Sequence, residues 1–125
     1  MTEAVFDIVQ RTLIDEGIET YAPGQKKGDC TSPYCVLRDS GAVMINGLSS
    51  ERHYYTLLCY VPNDSYYELA DFVARCKAVM DKPPIYPMLM PTGTETPSFY
   101  DDTNDSVMIS VRYSNNVRST HVSTK

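Results

Sequence analysis

The sequence lacks long hydrophobic runs and lacks positive charge near its start. No stretch of 18 or more apolar residues occurs, so we expect no transmembrane helix. Residues 1–7 carry Glu3 and Asp7 where a secretory signal would carry lysine or arginine. These two absences predict a protein that is cytosolic when it is made.

Basic residues are also too few for a general nucleic-acid-binding protein. The chain has 125 residues, with 11 lysines and arginines against 16 aspartates and glutamates, and a formal net charge of −5. An acidic domain repels phosphate backbones, so we do not expect sequence-independent binding to nucleic acid. The length fits one domain with one hydrophobic core.

Recognisable catalytic motifs are missing as well. The sequence has no Gly-x-Ser-x-Gly elbow, no P-loop and no dinucleotide fingerprint. Residues 23–28 contain glycines and lysines but do not match the Walker pattern, and a plain turn is the favoured interpretation. Of the two histidines, His121 lies in a polar tail and His53 begins a strand. A histidine at a strand edge is more often a solvated surface residue than a catalytic one.

The four cysteines are interpreted as free thiols. Cys59 lies in an apolar strand and Cys76 on an apolar helix stripe, where cysteine acts as a small hydrophobe. Only four residues separate Cys30 from Cys35, but a zinc site would need two further ligands. A disulfide between them is disfavoured in a reducing cytosol. A small metal- or thiol-dependent enzyme or binding module that uses Cys30, Cys35 and His53 remains the alternative function.

Hydrophobic periodicity and turn signals give the order of the elements. Two helices are predicted, over 2–16 and from Ser65 to Met80, the second with a capping box formed by Ser65 and Glu68. The predicted strands are 18–21, 34–39, 52–61, a short edge strand at 85–90, and 106–113. An Asn46–Gly47 turn, a long surface loop over 92–105 and a flexible polar tail over 116–125 complete the chain. The sequence therefore predicts a single α+β domain over 1–115, in which two helices cover one face of a mainly antiparallel sheet of four to five strands.

The strand over 52–61 is unusual because it is apolar on both faces. Side chains alternate across a strand, so Tyr54, Leu58 and Tyr60 share one face, while Tyr55, Leu57, Cys59 and Val61 share the other. Two helices can cover only one of these faces. We expect the tyrosine face to be the exposed one and to bind a partner, although tyrosines also line the cores of domains.

Acidic residues in the predicted 92–105 loop have two interpretations. Asp101, Asp102 and Asp105, with Glu95 nearby, could bind a hard cation through their oxygens. The spacing does not match an EF-hand loop, and a solvated acidic loop is favoured. Such a loop could dock onto a basic patch of a neighbouring molecule.

The order of elements, with the stretches Pro33–Ser40 and Asp64–Met80, resembles the tail-terminator and tail-completion (head–tail joining) proteins of long-tailed bacteriophages. The resemblance covers residues 2–115. It implies a structural virion protein, made in the host cytoplasm, that forms a hexameric ring at the head-proximal end of the tail. It also implies no catalytic residues. From the sequence itself we expect no cofactor, no bound metal and no membrane contact.

The implied partners are further copies of the chain, the tail tube protein and the head connector or stopper protein. DNA would pass through the lumen only as cargo. The residues expected at these interfaces come from the tyrosine face and from two loops. They are Tyr54, Leu58, Tyr60, Lys26, Lys27, Glu95, Asp101 and Asp102.

Overall fold

A computed structural model describes residues 2–45 and 50–118 of the chain. In chain order the elements are α1 (Thr2–Asp15), β1 (Thr20–Tyr21), β2 (Tyr34–Ile45), β3 (Ser50–Pro62), a 3₁₀ helix (Asn63–Glu68), α2 (Leu69–Met80), β4 (Met90–Glu95), β5 (Phe99–Asp101) and β6 (Ser106–Arg118).

The strands form one six-stranded sheet in the order β1-β2-β3-β6-β4, and β5 also pairs with β6. The short β1 runs parallel to β2, while the other pairs are antiparallel. The predicted α+β class with helices packed on the sheet is confirmed. The sheet has one strand more than the four to five predicted, because residues of the predicted 92–105 loop also pair with β6.

The main core lies between the two helices and one face of the sheet. Leu57, Cys59 and Val61 of β3 have no exposed surface, and neither have Val9 and Leu13 of α1. Helical periodicity places five apolar residues on one stripe of α2, and all are buried, namely Leu69, Phe72, Val73, Cys76 and Met80. Neither described helix is long and apolar enough to cross a membrane.

The predicted capping box at the start of the second helix is wrong. Residues 63–68 form a 3₁₀ segment with a kink at Ser65, whose φ of −116° and ψ of 30° are not helical, and α2 itself begins only at Leu69. The Ser65 hydroxyl donates to Asp64 Oδ1 at 3.4 Å. In the described structure, α2 follows from Glu68 with no side chain capping its first turn.

The two central hairpin strands are longer than predicted. The predicted strand 34–39 ends before Ser40–Gly41, but β2 continues through these two residues with a shift of register between Asp39 and Ala42. Gly41 has a φ of 98°, and its N–H donates to Asp39 Oδ1 at 2.8 Å. Glycine adopts this left-handed conformation at little cost, so Ser40–Gly41 marks a β-bulge within β2. The predicted Asn46–Gly47 turn lies outside the described residues.

Three predictions in the second half of the chain need correction. The predicted edge strand at 85–90 is a series of turns, in which Ile85 and Leu89 are fully buried. The predicted loop over 92–105 contains most of β4 and all of β5. The last strand continues to Arg118, into the predicted flexible tail; residues 119–125, with His121, lie outside the described part.

Candidate assembly interface

The sheet face opposite the helices, called the outer face here, is set by the register of the three central strands. Val36 pairs with Leu58 and Leu58 with Ser110, so these residues form one row across β2, β3 and β6. Because side chains alternate across a strand, every second residue counted from this row lies on the same face. The outer face carries Tyr34, Val36 and Arg38 from β2, Tyr54, Thr56, Leu58 and Tyr60 from β3, and Met108, Ser110, Arg112 and Ser114 from β6.

One half of the outer face is covered by the chain's own loops. Cys30, Tyr34, Val36, Leu58 and Met108 form a second buried cluster, called the second core here, and Tyr21 and Tyr60 pack against it. The Cys30 N–H donates to Asn104 O at 2.7 Å, and this bond joins the first loop to the turn before β6. Burial of this half therefore comes from within the monomer.

Aromatic stacking organises the second core. The rings of Tyr34 and Tyr60 stack with their centroids 4.8 Å apart, and Tyr21 meets Tyr34 edge-on at 5.7 Å. Lys26 Nζ lies 5.4 Å from the centroid of the Tyr34 ring. Asn104 Nδ2 donates to the Tyr34 hydroxyl at 2.9 Å. Burial is the main reason that the pKa of Tyr34 is raised to about 12, since the phenolate is poorly solvated there.

The expectation that the tyrosine face is exposed needs correction for this half. Leu58 is only 8% exposed and Tyr60 is half-buried, so their environment is the second core. Tyr54 is also half-buried, but it lies toward the other end of the strand and lines a groove instead.

The other half of the outer face forms this groove, called the arginine groove here. It lies between β3, β6 and β4 and has a volume of about 530 Å³. Arg52 and Arg112 line it together with Tyr54, Met90 and the two threonines Thr92 and Thr94. Among the described residues that line it, none carries a carboxylate. The groove is therefore a basic surface on an acidic chain.

Packing fixes the shape of the arginine groove. The Arg112 guanidinium carbon lies 5.2 Å from the centroid of the Tyr54 ring, a distance suited to a cation–π contact. The Thr92 hydroxyl donates to the Arg112 carbonyl at 3.2 Å. The Thr94 N–H donates to the Thr92 hydroxyl oxygen at 3.3 Å.

The charged loop residues that were expected at interfaces lie in different parts of the structure. Glu95 Oε1 accepts from Lys77 Nζ of α2 at 2.7 Å, so this carboxylate belongs to the helix side of the sheet. Asp101 is the last residue of β5, and Asp102 is exposed in the turn between β5 and β6. Lys26 packs over Tyr34, and Lys27 is exposed in the first loop.

The structure does not bring Cys30, Cys35 and His53 together as one site. Cys30 belongs to the second core and Cys35 to the main core, on opposite faces of the sheet. His53 Nε2 lies 3.1 Å from Glu51 Oε1. Within the described residues, no three histidine, cysteine or acidic side chains are placed to hold a metal ion.

The pKa values of the Cys30 and Cys35 thiols are raised, which favours their protonated form. Hydrogen bonding to Cys76 is the main cause for Cys35, and burial is the main cause for Cys30. A thiol is a poor nucleophile compared with its thiolate. This environment suits cysteines that serve as small core residues.

Sequence reasoning missed the arginine groove, although its signals were present. Because side chains alternate across a strand, the sequence places Arg52 with Tyr54, and Arg112 with Ser110, on one face of each strand. The sequence does not show the register between β3 and β6. This register places Arg52 opposite Asn116 and Arg112 opposite Thr56, so both arginines line the same groove.

The chain was compared with protein-family models and with curated proteins, and neither comparison gave a match.

Proposed function

We propose that this protein is a structural subunit that forms a ring, hexameric as in the family it resembles, at the head-proximal end of a long-tailed bacteriophage tail. In this role it terminates the tail tube and joins it to the head connector or stopper protein. The proposal is supported by the resemblance over residues 2–115 and by an α+β fold of the expected kind.

The observation that carries the proposal is the uneven covering of the sheet. Both described helices pack on one face, while half of the opposite face is the open arginine groove. Near the other end of the sheet, Tyr66, Tyr67, Phe99 and Tyr100 are each about half exposed or more. Exposed aromatic side chains are enriched where proteins bind one another. A subunit of an assembly would bury such surfaces against its neighbours.

A second supporting feature is the edge of β2. In the described part of the chain, β1 pairs only with Cys35 and Val36, so β2 offers an open edge from Leu37 onward. Such an edge is a template for pairing with another chain unless it is protected. Val43, which is 57% exposed, lies on this segment.

The charge of the chain fits a channel for DNA. With a net charge of −5, a ring of several copies would repel a phosphate backbone on average. DNA would then slide through the lumen without sticking to its wall.

Electron microscopy and sedimentation velocity of the purified protein test the proposal. We expect closed rings of uniform size, and we expect the protein to cap tubes assembled from the tail tube protein encoded beside it. Flanking genes for tube and tape-measure proteins would agree with this role. A protein that remains monomeric both alone and mixed with tube protein would contradict it.

A further inference from the structure

Charge is separated along the strands of the outer face. One end carries Arg52 and Arg112 in the arginine groove. The other end carries Asp101 at the end of β5, and Asp102 and Asp105 in the turn that leads into β6 at Ser106. Ser106 and Arg112 are six positions apart along β6, which is about 20 Å at the rise of a strand. The basic and the acidic region are therefore too far apart to pair within one copy.

The acidic end, called the acidic turn here, comprises residues 99–105 and is held by hydrogen bonds within the segment. The N–H and the hydroxyl of Thr103 both donate to Asp101 Oδ1, at 3.1 and 2.6 Å. The Tyr100 hydroxyl donates to Asp105 Oδ1 at 3.1 Å. Because these bonds fix the backbone before any contact forms, binding through the turn costs little ordering entropy.

The acidic turn carries apolar as well as charged groups. Phe99 is 48% exposed and Tyr100 is 52% exposed, beside the exposed carboxylates of Asp102 and Asp105. The arginine groove offers the matching set, since Met90 is 46% exposed and lies beside the two arginines. An interface between the two would combine an apolar centre with charged pairs.

We propose that the arginine groove of one copy binds the acidic turn of a second copy. The inference deepens the proposed ring and rests on it. The two surfaces are different regions of the chain, so the contact runs head to tail and can close into a ring after a fixed number of copies. It also offsets the mutual repulsion of subunits that each carry a net charge of −5.

A charge-swap experiment tests this contact. The variants are Arg112→Glu in the groove, Asp102→Arg in the turn, and the double variant that carries both. Lys82→Glu and Asp7→Arg are the matched controls, since both side chains are exposed and lie outside the two surfaces. Self-association is measured by sedimentation velocity at low and high salt, with circular dichroism to verify that each variant is folded.

We expect each single reversal in the groove or the turn to weaken self-association at least about tenfold at low salt. The double variant should recover to within about threefold of the wild type, because it restores an opposite-charge pair. The two controls should associate like the wild type. Rising salt should weaken the wild-type contact, as charges at a partly exposed interface are screened.

The outcomes separate this inference from the proposed function. Rings that form equally well in all variants would leave the ring in place and overturn the docking contact. A double variant no better than the singles would also overturn it. A wild type that never associates, either alone or mixed with tube protein, would overturn both. If Arg112→Glu left association unchanged but abolished binding to duplex DNA in fluorescence anisotropy, the groove would be a phosphate-binding surface instead.

Discussion

The ring of Tyr34 in β2 stacks on the ring of Tyr60 in β3, with centroids 4.8 Å apart and planes 22° apart. This pair lies at the centre of the second core, on the sheet face that the helices do not reach. It explains how a strand that is apolar on both faces is accommodated in one short chain. The helices bury one face, and the loops before β2 and before β6 bury half of the other.

Removal of the Tyr34 hydroxyl should destabilise the fold modestly. In Tyr34→Phe the ring stack remains, but Asn104 Nδ2 loses the acceptor that lies 2.9 Å away. Loss of one such bond costs about 1 kcal/mol of the free energy of unfolding. Urea denaturation measures the change, and Tyr67→Phe is the control because Tyr67 is 78% exposed. Equal stability of the two variants would show that the hydroxyl bond contributes nothing.

Stability should fall as the pH rises from about 10 to about 12. Burial raises the pKa of Tyr34 from 10.0 to about 12, and burial also raises the pKa values of Tyr55 and Tyr60. In that interval the unfolded chain has lost protons that the native state keeps, so the free energy of unfolding decreases with pH. Below the unfolded pKa the full stability is present.

Denaturation at about pH 8 and at about pH 11 measures this effect. Tyr34→Phe should show a smaller fall than the wild type, because one of the buried phenols is gone. An identical fall in the variant would mean that Tyr34 ionises in the native state as it does in the unfolded chain.

How much of this fold the sequence predicts depends on whether a feature is local. The buried stripe of α2 from Leu69 to Met80 can be predicted, because helical periodicity depends only on residues close together in the sequence. The assignment of apolar residues to the two faces of β3 can be predicted for the same reason. The second core was not predicted, since it depends on Asn104 reaching Tyr34 across 70 positions of the sequence.

The two short strands β4 and β5 were missed for a different reason. All six residues of β4 are exposed, so no alternation of apolar and polar side chains marks it. It is recognised by its antiparallel pairing with β6, in which Met90 lies opposite Ser114 and Glu95 opposite Val111. The arginine groove was missed with it, because β4 forms one wall.

The four cysteines should react slowly with a thiol reagent in the native protein. Cys35, Cys59 and Cys76 have no exposed surface, and Cys30 is 5% exposed. The raised pKa values of Cys30 and Cys35 further lower the thiolate fraction. Absorbance with Ellman's reagent should rise to the value for four thiols only in denaturant. Rapid reaction of one thiol in the native state would favour the alternative of a thiol-dependent enzyme.

Gly17 should tolerate alanine less well than Gly24 does, although both residues have a φ of 83°. At either position, alanine in this left-handed conformation lowers the free energy of unfolding by about 1–2 kcal/mol. At Gly17 the added Cβ would also lie 3.1 Å from Arg75 Nη2, which donates to the Glu16 carbonyl at 3.0 Å. No described atom lies within 4 Å of a Cβ at Gly24. Gly17→Ala should therefore lower the free energy of unfolding more than Gly24→Ala. In an Arg75→Ala background the difference should disappear, and its persistence there would show that the guanidinium contact is not the cause.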